Sequence, residues 1–207
     1  MLENRYYAIA IFSNEWWINT IATIIAITFL LFISKKFLNN NKIKTFNLIV
    51  GSVLLVRCIW IQWYQHYLGI WDLQWSLPLQ MCSLSAIMSG ILPLIENSNL
   101  NKNYKQWVFE FLFYYSIGAF YSILTPVYTT GINGLIYYEY YISHGGILFT
   151  AIYFFIILGY RPRTYSWLKV FLYTQPILIA VHLVNYLIGG QANYFYTMEP
   201  PIADNPL

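Results

Sequence analysis

Charge is scarce in this sequence: Asp, Glu, Lys and Arg make up 9% of its 207 residues, against about a quarter in an ordinary soluble domain. That excludes a fold with a solvated, charged surface. Cysteine is nearly absent, and two residues exclude a disulfide framework. The eleven basic residues form no stripe and no long run, which excludes a nucleic-acid partner. The opening stretch lacks a basic segment followed by an apolar run and a small-residue cleavage site, so its apolar run reads as a first membrane span, not a removed signal. No internal repeat, low-complexity tract or second domain interrupts the chain.

What is abundant is apolar and aromatic, at 58% and 20% of residues. Several runs approach or reach the roughly 18–20 apolar residues that cross a bilayer as a helix. The pattern lacks the strict alternation of a barrel strand. The reading is an all-α, polytopic membrane bundle in a single domain, with six spans at about 17–33, 47–67, 77–95, 107–124, 143–160 and 167–188.

Lys and Arg near span ends are retained on the cytoplasmic side. Nine of the eleven fall in alternate segments: Lys35, Lys36, Lys42 and Lys44 after span 1, Lys102 and Lys105 after span 3, and Arg161, Arg163 and Lys169 after span 5. Those segments are expected in the cytoplasm, which puts both termini, Arg5 included, outside. Trp16, Trp17, Trp71, Trp75 and the run "YYEYY" fit the aromatic belts at the lipid headgroups.

This topology sends spans 3 and 5 inward from the same surface, so their first turns share a level. Cys82, about five residues into span 3, and His144, at the start of span 5, are expected to meet near that surface. On span 3, Pro78, Cys82, Ser85 and Ser89 recur at helical spacing as one small, partly polar stripe. Span 6 carries His182 and Asn185 towards the same side, followed by "GQANYFY". His66 ends span 2, and deeper in it Arg57 requires a partner inside the bundle, because an unpaired Arg costs several kcal/mol in lipid.

The residues allow more than one chemistry. Cys82 with His144 forms a candidate nucleophile and base, since the thiolate is the reactive species and an imidazole can generate it. The bland alternative is a buried cysteine acting as a small hydrophobe beside a satisfied histidine. His66, His144 and His182 raise axial haem ligation, which differing depths disfavour. Arg57, Glu110 and His182 raise a transport path, though Glu110 equally suits packing at the cytoplasmic interface. A non-catalytic envelope component also stays open. Cys58, beside Arg57, reads as core packing. No metal site and no cofactor is expected.

The motifs "LPLQMCSLS", "SILTP", "YYISHGGILFTAIY", "GYRPRT" and "NYLIGGQANYFYTMEPP", in this order, resemble the bacterial YwaF family of integral membrane proteins, which is similar to animal transmembrane protein 164. The resemblance implies a membrane-embedded acyltransferase that moves an acyl chain onto a lysophospholipid through a cysteine and a histidine, here Cys82 and His144. Membrane lipids, a lysophospholipid acceptor and an acyl donor are the expected partners. Asn185, with Gln191 or Asn193, is the expected oxyanion or substrate-binding set, and Arg57, His66 and His182 are possible accessories. Family members often carry a histidine after the "FS" of span 1, where this sequence has Glu15 and Trp16. They also continue into a seventh span beyond the segment that here reads "EPPIADNPL", so a shortened version or a fragment is expected.

Overall fold

The computed structural model describes residues 6–200; Arg5 and the segment from Pro201 to Leu207 lie outside them. Six helices account for the fold: α1 (Asn14–Phe37), α2 (Asn40–Tyr67), α3 (Met81–Glu96), α4 (Lys102–Leu124), α5 (Ile136–Ile156) and α6 (Ser166–Ile188). The all-α bundle expected from the sequence is present. Four of the six, α1, α2, α4 and α6, are long and apolar enough to cross a membrane. The third is 16 residues long, about 24 Å at 1.5 Å per residue and short of the roughly 30 Å hydrocarbon core.

Local signals start the helices. Ser13 caps α1 by accepting a hydrogen bond from the Trp16 N–H at 3.2 Å, and Asn39 caps α2 through the Lys42 N–H at 3.1 Å. Glu15 in the first turn of α1, with Lys35 and Lys36 in its last, complement the helix dipole. The outer faces of α1, α2 and α6 expose large apolar side chains such as Ile25, Ile59 and Leu187. With a mean exposure that only lipid tolerates, these faces read as the lipid-facing surface.

Packing places α3 and α5 in the middle. α3 contacts α2, α4 and α5, α1 lies against α5, and α6 is held by α4 and the C-terminal segment. Contact between α2 and α3 depends on two glycines: a Cβ on Gly51 would sit 2.7 Å from the Gly90 carbonyl oxygen, and one on Gly90 2.7 Å from Leu55. Small residues let membrane helices approach this closely. The buried core gathers Leu92 of α3, Phe109, Leu112 and Ala119 of α4, and Ile147, Phe149 and Tyr153 of α5.

The three basic segments share one end of the bundle. There Asn97 donates to the Lys44 carbonyl at 2.7 Å, Gln106 to the Arg161 carbonyl at 2.8 Å, and Tyr160 to Glu96 at 2.6 Å. The other end holds a short antiparallel pairing that periodicity did not anticipate. Strand β1 (Tyr7–Ala8) pairs with β2 (Val127–Tyr128), Tyr7 opposite Tyr128. Trp16 donates its indole N–H to the Leu124 carbonyl, which ties the start of α1 to the same corner.

Two helix starts depart from the expectation. α3 begins at Met81, four residues later than predicted, so Pro78 stands outside the helix and the polar stripe loses its first member. Proline disfavours helical geometry in the residue before it. Conversely, α5 begins at Ile136 and includes "YYEYY", which the sequence reading left at the headgroup level. His144 therefore lies eight residues inside α5, about 12 Å along its axis, and not at its start.

Candidate functional site

Because Gln80 is extended and caps α3 without a side-chain bond, Cys82 occupies the second position of that helix. It thus falls within the first turn, and not about five residues into the helix as the expected span has it. The first-turn N–H groups of an α-helix have no partner within the helix. The Gln80 side chain does not cap those of Met81, Cys82 and Ser83, and all three residues line a cavity of about 440 Å³.

That cavity is enclosed by α2, α3, α4 and α5, by the loops at Trp75–Gln80 and Val127–Thr130, and by Phe195 and Tyr196 of the C-terminal segment. Cys82 and His144 both line it. They are not hydrogen-bonded to each other among the described residues. The Cys82 sulfur lies 3.7 Å from the Ser122 Oγ, and that hydroxyl donates its own proton to the Gly118 carbonyl at 2.9 Å. Ser122 Oγ is then an acceptor for the thiol proton.

His144 is 8% exposed, and its Nδ1 lies 2.7 Å from the carbonyl of Tyr140, one turn back on α5. A carbonyl only accepts, so Nδ1 carries the proton. In the neutral ring Nε2 is left with its lone pair. The Tyr140 ring packs on the imidazole with centroids 4.2 Å apart, and its hydroxyl donates to the Ser122 carbonyl at 2.8 Å. Tyr140 and Ser122 thereby connect the surroundings of the thiol to those of the imidazole. Neither was singled out in the sequence, since a hydroxyl in an apolar helix carries no pattern of its own.

Arg57 also lines the cavity and finds the acid it requires: Glu139 of α5, in an ion pair with side chains 11% and 14% exposed. Its second terminal nitrogen lies 3.1 Å from the Cys58 sulfur, so Cys58 is part of the cavity wall and not of the core alone. Among the described residues, the Arg57 Nε and the Gln65 Oε1, both buried on this cavity, have no hydrogen-bond partner. Glu139 was missed because it sits inside a tyrosine-rich run. The signal available was Arg57 itself, whose depth demanded an acid on the same side of the bundle.

The remaining expected site residues lie elsewhere. Asn185 is fully engaged with the C-terminal segment: its amide donates to the Tyr194 carbonyl and the Thr197 hydroxyl, both at 2.9 Å, and its oxygen accepts from the Tyr194 N–H at 2.9 Å. Asn193 likewise serves the loop, donating to the Glu199 carbonyl and accepting from the Met198 N–H. Gln191 is exposed and meets Gln74 through its backbone N–H. None of the three lines the cavity. As oxyanion donors Asn185 and Asn193 are corrected to clamps, with their amides engaged in packing the tail, and Gln191 to an exposed residue outside the cavity. His66 stacks on Trp71 at 4.5 Å and, like His182, is exposed. Neither joins His144, so the three histidines do not converge. Among the described residues no cluster of three metal-ligating side chains occurs.

The clamp still reaches the site indirectly. Gln80 accepts from the Phe195 N–H at 2.9 Å, and Tyr194, wholly buried, donates to the Leu73 carbonyl at 2.7 Å. Phe195 and Tyr196 are held at positive φ of 56° and 51°, a region costly for aromatic residues unless surrounding contacts fix it. The tail is thus fastened over the mouth of α3.

Lipid-facing helices around a polar cavity define an integral membrane protein with a cysteine-containing pocket at one end of its bundle. The chain belongs to the TMEM164 family, whose family model matches residues 11–207. Neither the curated proteins nor the solved structures hold a match to it.

Proposed function

We propose that this protein is a thiol-dependent lipid acyltransferase working from the end of the bundle opposite its basic segments, in the outer leaflet of the cell membrane. The carrying observation is that Cys82, at an uncapped helix N-terminus, and His144, with its proton fixed on Nδ1, line one cavity. Family membership supports the same pair. A helix N-terminus favours the thiolate, and the free Nε2 of His144 is the base that takes its proton.

The reaction balances in two halves. The Cys82 proton passes to His144 Nε2, directly or through one water, and the sulfur attacks the carbonyl carbon of an acyl ester. The ester C–O bond breaks, the leaving alkoxide takes the proton from His144, and an acyl thioester remains. A lysophospholipid hydroxyl then gives its proton to His144 and attacks the thioester carbon, the C–S bond breaks, and the leaving Cys82 thiolate takes that proton back from His144. The first-turn N–H groups of α3 are the donors for the oxyanion formed in each half, replacing the amide set expected from the sequence. Tyr140 and Ser122 hold the imidazole and thiol in place.

The topology belongs to the same proposal: the basic end is cytoplasmic, and the N-terminal segment and tail are external. Proteoliposomes supplied with isotope-labelled lysophospholipid and a diacyl donor test the activity. Wild type is expected to exchange acyl chains, and Cys82→Ser and His144→Ala to lose it. Full exchange by both variants overturns the mechanism, and substrate uptake that survives Cys82→Ala, without any acyl exchange by wild type, replaces it with transport.

A further inference from the structure

Arg57 and Glu139 border two spaces. On one side is the cavity that holds Cys82 and His144. On the other is a groove of about 460 Å³ between α2 and α5, and both residues line both. The groove is otherwise mostly apolar, with Val53, Val56 and Trp60 on α2, Leu135 at the start of α5 and Ile142 within it, and the hydroxyl residues Ser52 and Tyr138 beside them. Val53, Val56 and Ile142 are 59%, 62% and 58% exposed. Since α2 is long and apolar enough to cross a membrane, this groove opens on hydrocarbon and not on water.

The two spaces adjoin at one place. An acyl chain of one leaflet extends roughly 15 Å, half of the hydrocarbon thickness, so a lipid whose ester lies in the cavity needs an apolar path for its chain. Arg57 and Glu139 form the wall that the cavity shares with an apolar groove.

The pair also suits the chemistry of that passage. An ion pair is a costly wall in a membrane, retained only where its charges are matched. Here it is incompletely satisfied, because the buried Arg57 Nε has no partner. A glycerolipid passing beside it presents ester oxygens, which are acceptors for that N–H, at the point where its polar region gives way to hydrocarbon.

We propose that the α2–α5 groove is the binding site for one acyl chain of a bilayer glycerophospholipid, whose ester lies in the cavity beside Arg57. The assignment rests on the acyltransferase reading for the purpose of the site, but its test does not require turnover. The probe is a phosphatidylcholine with a diazirine midway along one chain, at low mole fraction in phosphatidylcholine vesicles holding the full chain. After photolysis, peptide mass spectrometry is expected to find labelling at Val53, Val56 or Ile142 at least fivefold above that at Ile179 of α6, which is 64% exposed to the same bilayer. Val53→Trp, which fills the groove, is expected to lower groove labelling at least fivefold, and Leu183→Trp on α6 to leave it unchanged. Cys82→Ser is expected to keep groove labelling while losing acyl exchange, so failure of catalysis and failure of this site are read separately. Equal labelling of groove and α6, or labelling indifferent to Val53→Trp in a variant that retains the wild-type melting curve, identifies annular lipid only and overturns the proposal.

Discussion

Two largely buried ionisable groups at opposite ends of the bundle, Glu110 and Arg57, are satisfied to different degrees. At the basic end, Glu110 is fully buried and its carboxylate accepts from the Arg163 backbone N–H at 2.9 Å, from both arms of the Arg163 guanidinium at 2.8 Å, and from Gln106 at 3.1 Å. Asn47, also buried, accepts from Tyr153 at 2.9 Å. At the far end the thiol has one long contact to a hydroxyl, and an arginine nitrogen and a glutamine oxygen go without partners. Folding satisfies buried polar groups wherever nothing else is required of them. Among the described residues, the buried guanidinium and amide atoms left without a partner, on Arg57 and Gln65, both line the cavity, and that contrast separates an ionisable group used for packing from one available to a ligand. Glu110, which the sequence offered for either role, falls on the packing side.

The contrast breaks most sharply in activity. His144→Ala should reduce acyl exchange by roughly 100-fold or more, the usual scale for a lost general base, while thermal unfolding in detergent stays near wild type; Glu110→Ala should do the reverse. Removing that carboxylate leaves the Arg163 guanidinium, the Arg163 backbone N–H and the Gln106 amide without their acceptor. Because the Arg163 side chain is 37% exposed, the cost belongs at the lower end for a broken buried pair, about 3 kcal/mol, read as a lowered melting temperature with retained specific activity in the folded fraction.

A smaller effect probes the seam between the ends. Asn185→Ala should cost about 1–3 kcal/mol, the scale for leaving buried groups unpaired, and should loosen the tail that carries Phe195 and Tyr196. Faster reaction of Cys82 with a maleimide, at unchanged His144 chemistry, is the expected readout; an unaltered labelling rate would show that the tail does not cover the thiol.

The smallest effect concerns pH at the basic end. Burial pushes the Tyr160 phenol well above its ordinary range, and its hydrogen bond to Glu96 adds to the shift. The neutral phenol is thus preferred in the folded state, so its contribution is complete below about pH 10, the ordinary tyrosine value, and is lost as pH rises through the higher folded value. Melting temperature should decline above about pH 10 in wild type and less steeply in Tyr160→Phe.

Most of the bundle was legible because helix count and the alternation of basic segments rest on hydropathy and charge, which are local. Topology and motif resemblance both pointed to Cys82 and His144, but their depths along the helices were not legible. α3 starts only at Met81, which brings Cys82 into its first turn, while the tyrosine run concealed the start of α5 and pushed His144 inward. Hydropathy treats "YYEYY" as interfacial because it scores each residue alone; Glu139 enters the bundle only because Arg57 faces it. Asn185, Gln191 and Asn193 lie outside the cavity, and no sequence pattern reveals that the amides of Asn185 and Asn193 are already spent on a neighbouring loop. Ser122 and Tyr140 act through contacts between helices, which spacing within one helix does not encode.

The central claim is that an acyl chain is carried on Cys82. Wild-type protein in proteoliposomes, exposed to a diacyl phospholipid without an acceptor and quenched in acid, should gain the mass of one acyl chain, located on the Cys82 peptide and released by neutral hydroxylamine. An acyl adduct confined to another residue, or acyl exchange proceeding undiminished in Cys82→Ser, would contradict it.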